Sequence, residues 1–246
     1  MAYRLAVGLI RFSVHISGEK FLTQAKLNTL SPEESYMSAM KQEGELGEVY
    51  AAETSEELAA VYDRWSDGYD RYMNEGGYRH PAVCAALIAR YISDLQAPLL
   101  DAGVGTGLVG DLLGLLGYQK LTGIDISKSM LKVAHNKGIY SELKNADLLS
   151  DVSLPKSHYA AAVAAGVFTT GHVGTRGFDT LTSLVATYGW LIITVKSTIW
   201  EEGFSDYMDA KERSGAIKIL EKTEPYNSIP GAPTNAPSFA LVAQKL

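Results

Sequence analysis

The chain has 246 residues, 46% of them apolar and 20% charged, and a formal net charge of −6. That is ordinary globular composition, enough to bury a useful core in one large domain or in a domain with an appendage. The acidic balance argues against nucleic acid as an obligatory partner, because phosphate neutralisation needs a concentrated basic surface.

Cys84 is the single cysteine, which rules out an internal disulfide or a cysteine-rich zinc site. No stretch approaches the roughly 18 uncharged apolar residues of a membrane span, so no membrane partner is expected. Arg4 and Arg11, in a first segment without acids, have a faint mitochondrial-import character, but two arginines are few, and the default expectation is cytoplasmic.

Residues 1–52 lack a clear period and turn acidic from Glu33 to Glu48, which predicts short helices or loose coil. Thr54 and Glu57 then have the spacing of a capping box. The helix they open carries Leu58, Val61, Tyr62, Trp65, Tyr69 and Tyr72 on one face and ends at Gly76-Gly77. A second helix follows Pro81, with Cys84 reading as a buried core thiol. From Pro98 onward strands and helices alternate, the pattern of a parallel sheet. Strands are predicted at 98–101, 120–126, 141–146, 158–166 and 190–197, and helices at 108–116, 128–136, 175–188 and 207–214. Two last strands, 217–226 and 239–246, flank a proline-rich loop.

The most informative stretch is Leu100-Asp101-Ala102-Gly103-Val104-Gly105-Thr106-Gly107. A strand ending in an acid, then alternating glycines, then a helix makes a tight turn whose bare backbone N–H groups attract a bound anion or carboxylate. Gly105, Gly107 and Gly110 also satisfy the dinucleotide spacing, which leaves a nicotinamide cofactor as a rival. Three acids at successive strand ends favour an adenosyl amino acid. Asp101 suits an ammonium group and would repel a pyrophosphate, Asp125 suits two ribose hydroxyls, and Asp147 suits an adenine amino group.

The segments Asp101–Gly107, Gly123-Ile124-Asp125-Ile126-Ser127 with Met130, and Ala146-Asp147 resemble the class I S-adenosylmethionine-dependent methyltransferases. A closer likeness, to the methyltransferase-like proteins named for the Williams–Beuren region, rests on Val61-Tyr62-Asp63-Arg64-Trp65, Tyr69-Asp70 and Gly107-Leu108-Val109. The expected fold is therefore an α/β Rossmann-like three-layer sandwich. It has a mostly parallel seven-stranded sheet with an antiparallel C-terminal strand, an N-terminal helical extension or lid over 1–75, and a cofactor domain over 76–246. The resemblance implies S-adenosyl-L-methionine laid along the strand tips. Its amino acid end would lie at Gly103, Gly105, Thr106 and Gly107, its ribose at Asp125, and its adenine between Ile126 and Leu148, with Met130, Asp147 and Gly166 beside it. Tyr62 and Tyr69 either pack in a core with Trp65 or fold over the site, and the two readings are compatible.

A small-molecule methyl acceptor is expected, methylated on oxygen, nitrogen or sulfur by in-line transfer. Thr169 and Thr170, together with Trp65, are candidates to orient it, and His172 is the candidate base, against a plain structural histidine. Tyr159-Ala160 replaces the aromatic–aspartate pair of many relatives, which speaks against a metal-dependent mechanism, and no metal is expected. A monomer or homodimer is expected. The rivals are a non-catalytic cofactor-binding scaffold, a nicotinamide oxidoreductase, and an aminopropyl transferase, which would want acids between Thr169 and Val173.

Overall fold

The computed structural model describes residues 44–150, 152–169, 173–231 and 236–246. A short helix α1 (Gly44–Ala51) precedes the long helix α2 (Ser55–Glu75). The capping signal acts as the spacing predicts at one bond and shifts by a residue at the other. Thr54 Oγ1 accepts the Glu57 N–H at 3.1 Å, while the Glu57 carboxylate accepts the N–H of Glu53, at 2.9 Å, and not that of the cap. At the far end the chain turns through Gly76 and Gly77, where φ of +71° at Gly77 suits only glycine without strain. Helix α3 (His80–Tyr91) follows, with Pro81 in its first turn, where a missing N–H costs nothing.

Seven strands then form one sheet in the order β3-β2-β1-β4-β5-β7-β6. They are β1 (Leu99–Ala102), β2 (Leu121–Asp125), β3 (Glu142–Asn145), β4 (Tyr159–Phe168), β5 (Val185–Lys196), β6 (Ile217–Lys222) and β7 (Ser238–Lys245). Strands β1 to β5 pair in parallel, and β7 runs antiparallel to both β5 and β6. Helices α4 (Leu108–Leu115), α5 (Lys128–Asn136), α6 (Gly174–Leu184) and α7 (Ser205–Arg213) complete the layers. Between β5 and α7 the chain makes a helical turn and a wide π turn, broken at Gly203 with φ of +112°.

The two cores follow from the pleat, since alternate strand residues face opposite sides. Leu100, Ala162, Leu191, Ile193 and Leu241 pack on one side with Phe178, Leu181 and Leu184 of α6. Leu99, Ala161, Val163, Ile192 and Val242 pack on the other with Cys84 and Ile88 of α3 and Leu113 of α4. Cys84 is fully buried as a free thiol. Among the described residues no helix is long and apolar enough to cross a membrane.

Two boundaries differ clearly from the sequence reading: β6 ends at Lys222 and not at 226, and the start of β5 is displaced. The helix predicted to reach residue 188 stops at Leu184, and β5 starts at Val185. Val185 pairs with Tyr159, and the ladder then skips to Trp190 opposite Ala161. The extra residues form a bulge at Tyr188, with φ of +63°, and Gly189. The open edge of β4 captures residues whose local pattern alone is also compatible with a helix.

Helix α2 belongs to the same compact unit as the sheet, Met40–Leu246. Its Trp65 is 5% exposed and packs edge-on against Tyr69 and Tyr72, with ring centroids 4.8 and 5.2 Å away. Trp65→Ala removes this large buried ring and is expected to cost about 3–5 kcal/mol in urea unfolding. A loss below about 1 kcal/mol would mean that the aromatic cluster does not anchor the helix.

Candidate functional site

The strand order reverses between β1 and β4, which places a crevice at the carboxyl ends of these two strands. The loop leaving β1 passes through Gly103, Gly105 and Gly107 with φ of +70°, +54° and +90°. Gly107 caps α4. At Gly105 an added Cβ would have open space, because this glycine faces the cleft. At Gly103 it would overlap Val167 of β4, so this glycine is set by the close approach of the two strands.

Asp125, at the end of β2, ties the loop down. Its Oδ2 accepts the Gly105 N–H and its Oδ1 accepts the Ser127 N–H, each at 2.8 Å. Burial pushes its pKa up to about 6, opposed by the backbone N–H groups of Ser127, Gly105 and Ile126. Asp101 lies beneath the loop, 2% exposed and outside the cleft lining, and accepts the Tyr140 hydroxyl at 2.6 Å. Burial pushes its pKa up to about 7, with the Tyr140 bond opposing and the nearby Asp125 charge adding to it.

Tyr140 explains the third glycine of the dinucleotide-like spacing. Its hydroxyl also accepts the Gly110 N–H at 3.1 Å, and a Cβ at Gly110 would overlap the phenol. The ring lies 3.1 Å from where a Gly107 side chain would begin and 3.2 Å from the same point at Gly123. Gly110 is thus demanded by an internal aromatic ring and does not require a pyrophosphate.

The cleft holds about 1060 Å³ with its open mouth included, the scale of a small-molecule site. Gly103, Gly105, Asp125, Ile126, Met130, Asp147, Leu148, Gly166, Thr169, Tyr62 and Tyr69 line it together. Thr106 lines an adjoining recess, shared with Gly103, Gly105, Tyr69 and Tyr78. Asp147 Oδ1 accepts the Leu149 N–H at 2.8 Å, an Asx turn that aligns it at the rim. Trp65 stands behind the wall, stacked against Tyr62 at a 3° interplanar angle, and does not line the cleft. Thr170 and His172 lie outside the described residues.

The sequence reading missed several lining residues. Glu53, Thr54, Ser55 and Leu58 come from the start of α2, and Tyr78 from the turn before α3. The Tyr78 hydroxyl sits over Gly166 so closely that a side chain there would overlap it. Burial holds the phenols of Tyr62, Tyr69 and Tyr78 well above their usual pKa, so they stay protonated in the neutral range. Behind Gly166, His80 Nδ1 lies 2.8 Å from the Tyr226 hydroxyl. Burial, aided by the Lys196 charge, pulls the His80 pKa down to about 3, so this histidine is neutral.

The raised pKa of Asp101 has a measurable consequence. An unfolded aspartate titrates near 3.8 and the folded Asp101 near 7, so the folded protein holds an extra proton between these values. The stability this contributes is full below pH 3.8 and is lost as pH rises through 7. Urea unfolding of Asp101→Asn is therefore expected to gain on the parent between pH 3.8 and pH 7 and to level off above that. A difference independent of pH would show that Asp101 ionises freely in the folded state.

Residues 99–187 match the methyltransferase domain family. Human methyltransferase-like protein 27 is 30% identical over 115 residues, covering 46% of this chain and 47% of that protein. The chain thus spans about half the length of the curated relative it matches. A TehB-like S-adenosylmethionine-dependent methyltransferase from Corynebacterium glutamicum superposes with a TM-score of 0.56 at 19% identity, over 76% of this chain and 99% of that one. Magnesium protoporphyrin IX methyltransferase from Synechocystis, solved with bound S-adenosylhomocysteine, gives 0.54 at 19% identity, over 76% and 98%. The stretch from β1 to the start of β5 is thus similar to the methyltransferase domain family, and the sheet has the fold of S-adenosylmethionine-dependent methyltransferases.

Proposed function

We propose that the protein transfers the methyl group of S-adenosylmethionine to oxygen, nitrogen or sulfur of a small molecule. The observation that carries this reading is the continuity of the cleft. One lining joins Gly105, whose missing side chain leaves open space, to Asp125, to Asp147 and Leu148, and to Gly166 and Thr169. The donor set fits an adenosyl amino acid. Asp125 has lone pairs beyond its two backbone bonds for ribose hydroxyls, Ile126 and Leu148 offer apolar faces for a purine, and Asp147 offers an acceptor. Gly110 adds no support for a dinucleotide, because Tyr140 already accounts for it.

Bound here, S-adenosylmethionine supplies a sulfonium methyl group that is already electrophilic. The chain then has to align the acceptor and exclude water. Tyr62, Tyr69 and Leu58 of α2 line the cleft together with the strand-tip residues, which supports the reading of the N-terminal helical part as a cover. The protonated phenols are able to donate hydrogen bonds to a bound molecule and are not bases. Thr169, which follows β4 and lines the cleft, is proposed to orient the substrate. Where the acceptor atom carries a proton at neutral pH, His172 is proposed as the base, on the strength of its place in the chain just beyond β4.

Calorimetric titration with S-adenosylhomocysteine and with NAD tests the reading. The parent is expected to bind the first and not the second. Gly105→Val is expected to fold and lose binding, since a β-branched side chain would fill the cleft and resist the left-handed backbone. Asp125→Ala is expected to weaken binding roughly ten- to a hundred-fold. NAD binding by the parent, or undiminished S-adenosylhomocysteine affinity in Gly105→Val, would overturn the assignment.

A further inference from the structure

Helix α2 does more than wall the cleft. Tyr62 and Tyr69 stand two turns apart and line the cleft, and Asp63 and Asp70, the next residue in each case, reach two different segments of the site. Asp70 Oδ1 accepts the hydroxyl of Thr106, which is 1% exposed within the glycine loop, and its Oδ2 pairs with Lys137 Nζ at 2.8 Å. Lys137 also pairs with Asp111 of α4 at 2.7 Å. Burial pulls the Lys137 pKa down, but the two carboxylates outweigh it and leave it raised.

Asp63 Oδ1 accepts the Ser127 hydroxyl at 2.6 Å and the Ser129 N–H at 2.9 Å. Ser127 Oγ in turn accepts the N–H of Met130, a lining residue, at 3.0 Å, while the Ser127 N–H goes to Asp125. The Ser127 hydroxyl holds the Asp63 carboxyl below its usual pKa, against the effect of burial, so this carboxylate is ionised throughout the neutral range. One helix thus clamps the glycine loop through Asp70 and the segment after β2 through Asp63.

We propose that Asp63 and Asp70 are positioning residues for separate halves of the cofactor site: Asp70 for the amino acid half and Asp63 for the adenosine half. Neither lines the cleft, so each acts through a residue that does or through its neighbour in the loop. The division rests on the methyltransferase reading above, which says which half lies where.

The test compares two ligands, S-adenosylhomocysteine and 5′-methylthioadenosine, which lacks the amino acid end. Binding is measured by calorimetry well below each variant's melting temperature. Asp70→Ala is expected to weaken S-adenosylhomocysteine about ten-fold or more while leaving 5′-methylthioadenosine within about two-fold. Asp70→Asn, which keeps an acceptor for Thr106 but loses the Lys137 ion pair, is expected to restore part of the affinity and to leave a smaller shift of the ratio in the same direction. Asp63→Ala is expected to weaken both ligands by similar factors, and Asp63→Asn to weaken them less.

A merely structural role would lower the melting temperature without changing the ratio of the two affinities at Asp70, and without weakening either ligand at Asp63. Equal weakening of both ligands by Asp70→Ala, or unchanged affinities in both alanine variants, would overturn the proposal. Should an alanine variant fail to fold, the asparagine variants decide: Asp70→Asn must then shift the affinity ratio towards 5′-methylthioadenosine, and an unchanged ratio overturns the proposal. A parent that binds neither ligand would overturn the methyltransferase reading itself, which is a distinct result.

Discussion

The site depends on one buried carboxylate. Asp125 accepts the Gly105 N–H with one oxygen and the Ser127 N–H with the other, so it joins the loop after β1 to the turn before α5. An ionised group in so dry a place is costly unless hydrogen-bonded, and its pKa near 6 reflects burial only partly offset by backbone donors. Both donors are backbone N–H groups, present whatever the side chain unless it is proline, so the acceptor side of the link rests on this single carboxylate. Through Ser127 the same carboxylate connects to Asp63, and so to the N-terminal helix. Strand tip, glycine loop and helix thereby form one polar network at one end of the sheet.

A second constraint is Tyr140, whose ring fills the space beneath the loop. Three of the glycines near it, Gly107, Gly110 and Gly123, lack side chains at points the ring occupies or nearly touches. Its hydroxyl links Asp101 to the Gly110 N–H. The glycines of this region therefore answer to two different demands. Gly105 has only open space where a side chain would begin, while Gly110 is bare because of an internal packing partner. Only the first kind carries information about a ligand, and a spacing pattern alone merges the two.

Much of the fold was legible in the chain because it is written locally. The alternation of strands with helices from Pro98 marked the sheet, the Thr54 cap marked the start of α2, and the double glycine marked its end. The start of β5 was not legible, since pairing with Tyr159 on β4 decides it from afar. The same split holds for the site. Gly105, Asp125 and Asp147 are announced by their place at strand ends, and all three line the cleft. Tyr140 and Tyr78 gave no signal, because a single aromatic after a glycine turn has no period and no motif. Asp63 and Asp70 were visible as part of a resemblance, but their partners lie 64 and 36 residues away along the chain. The aromatic stripe of α2 turned out to be divided: Trp65 is packed inside, and Tyr62 and Tyr69 reach the cleft.

The central claim is that the strand tips and helix α2 together make one ligand site. Amide hydrogen exchange of the full chain, with and without saturating S-adenosylhomocysteine, tests it most directly, because it reads both parts in one experiment. Slower exchange is expected in three places at once: residues 103–107, residues 125–130, and the segment 58–69 of α2. Protection confined to the two loops, with α2 unchanged, would contradict the claim that the helix belongs to the site.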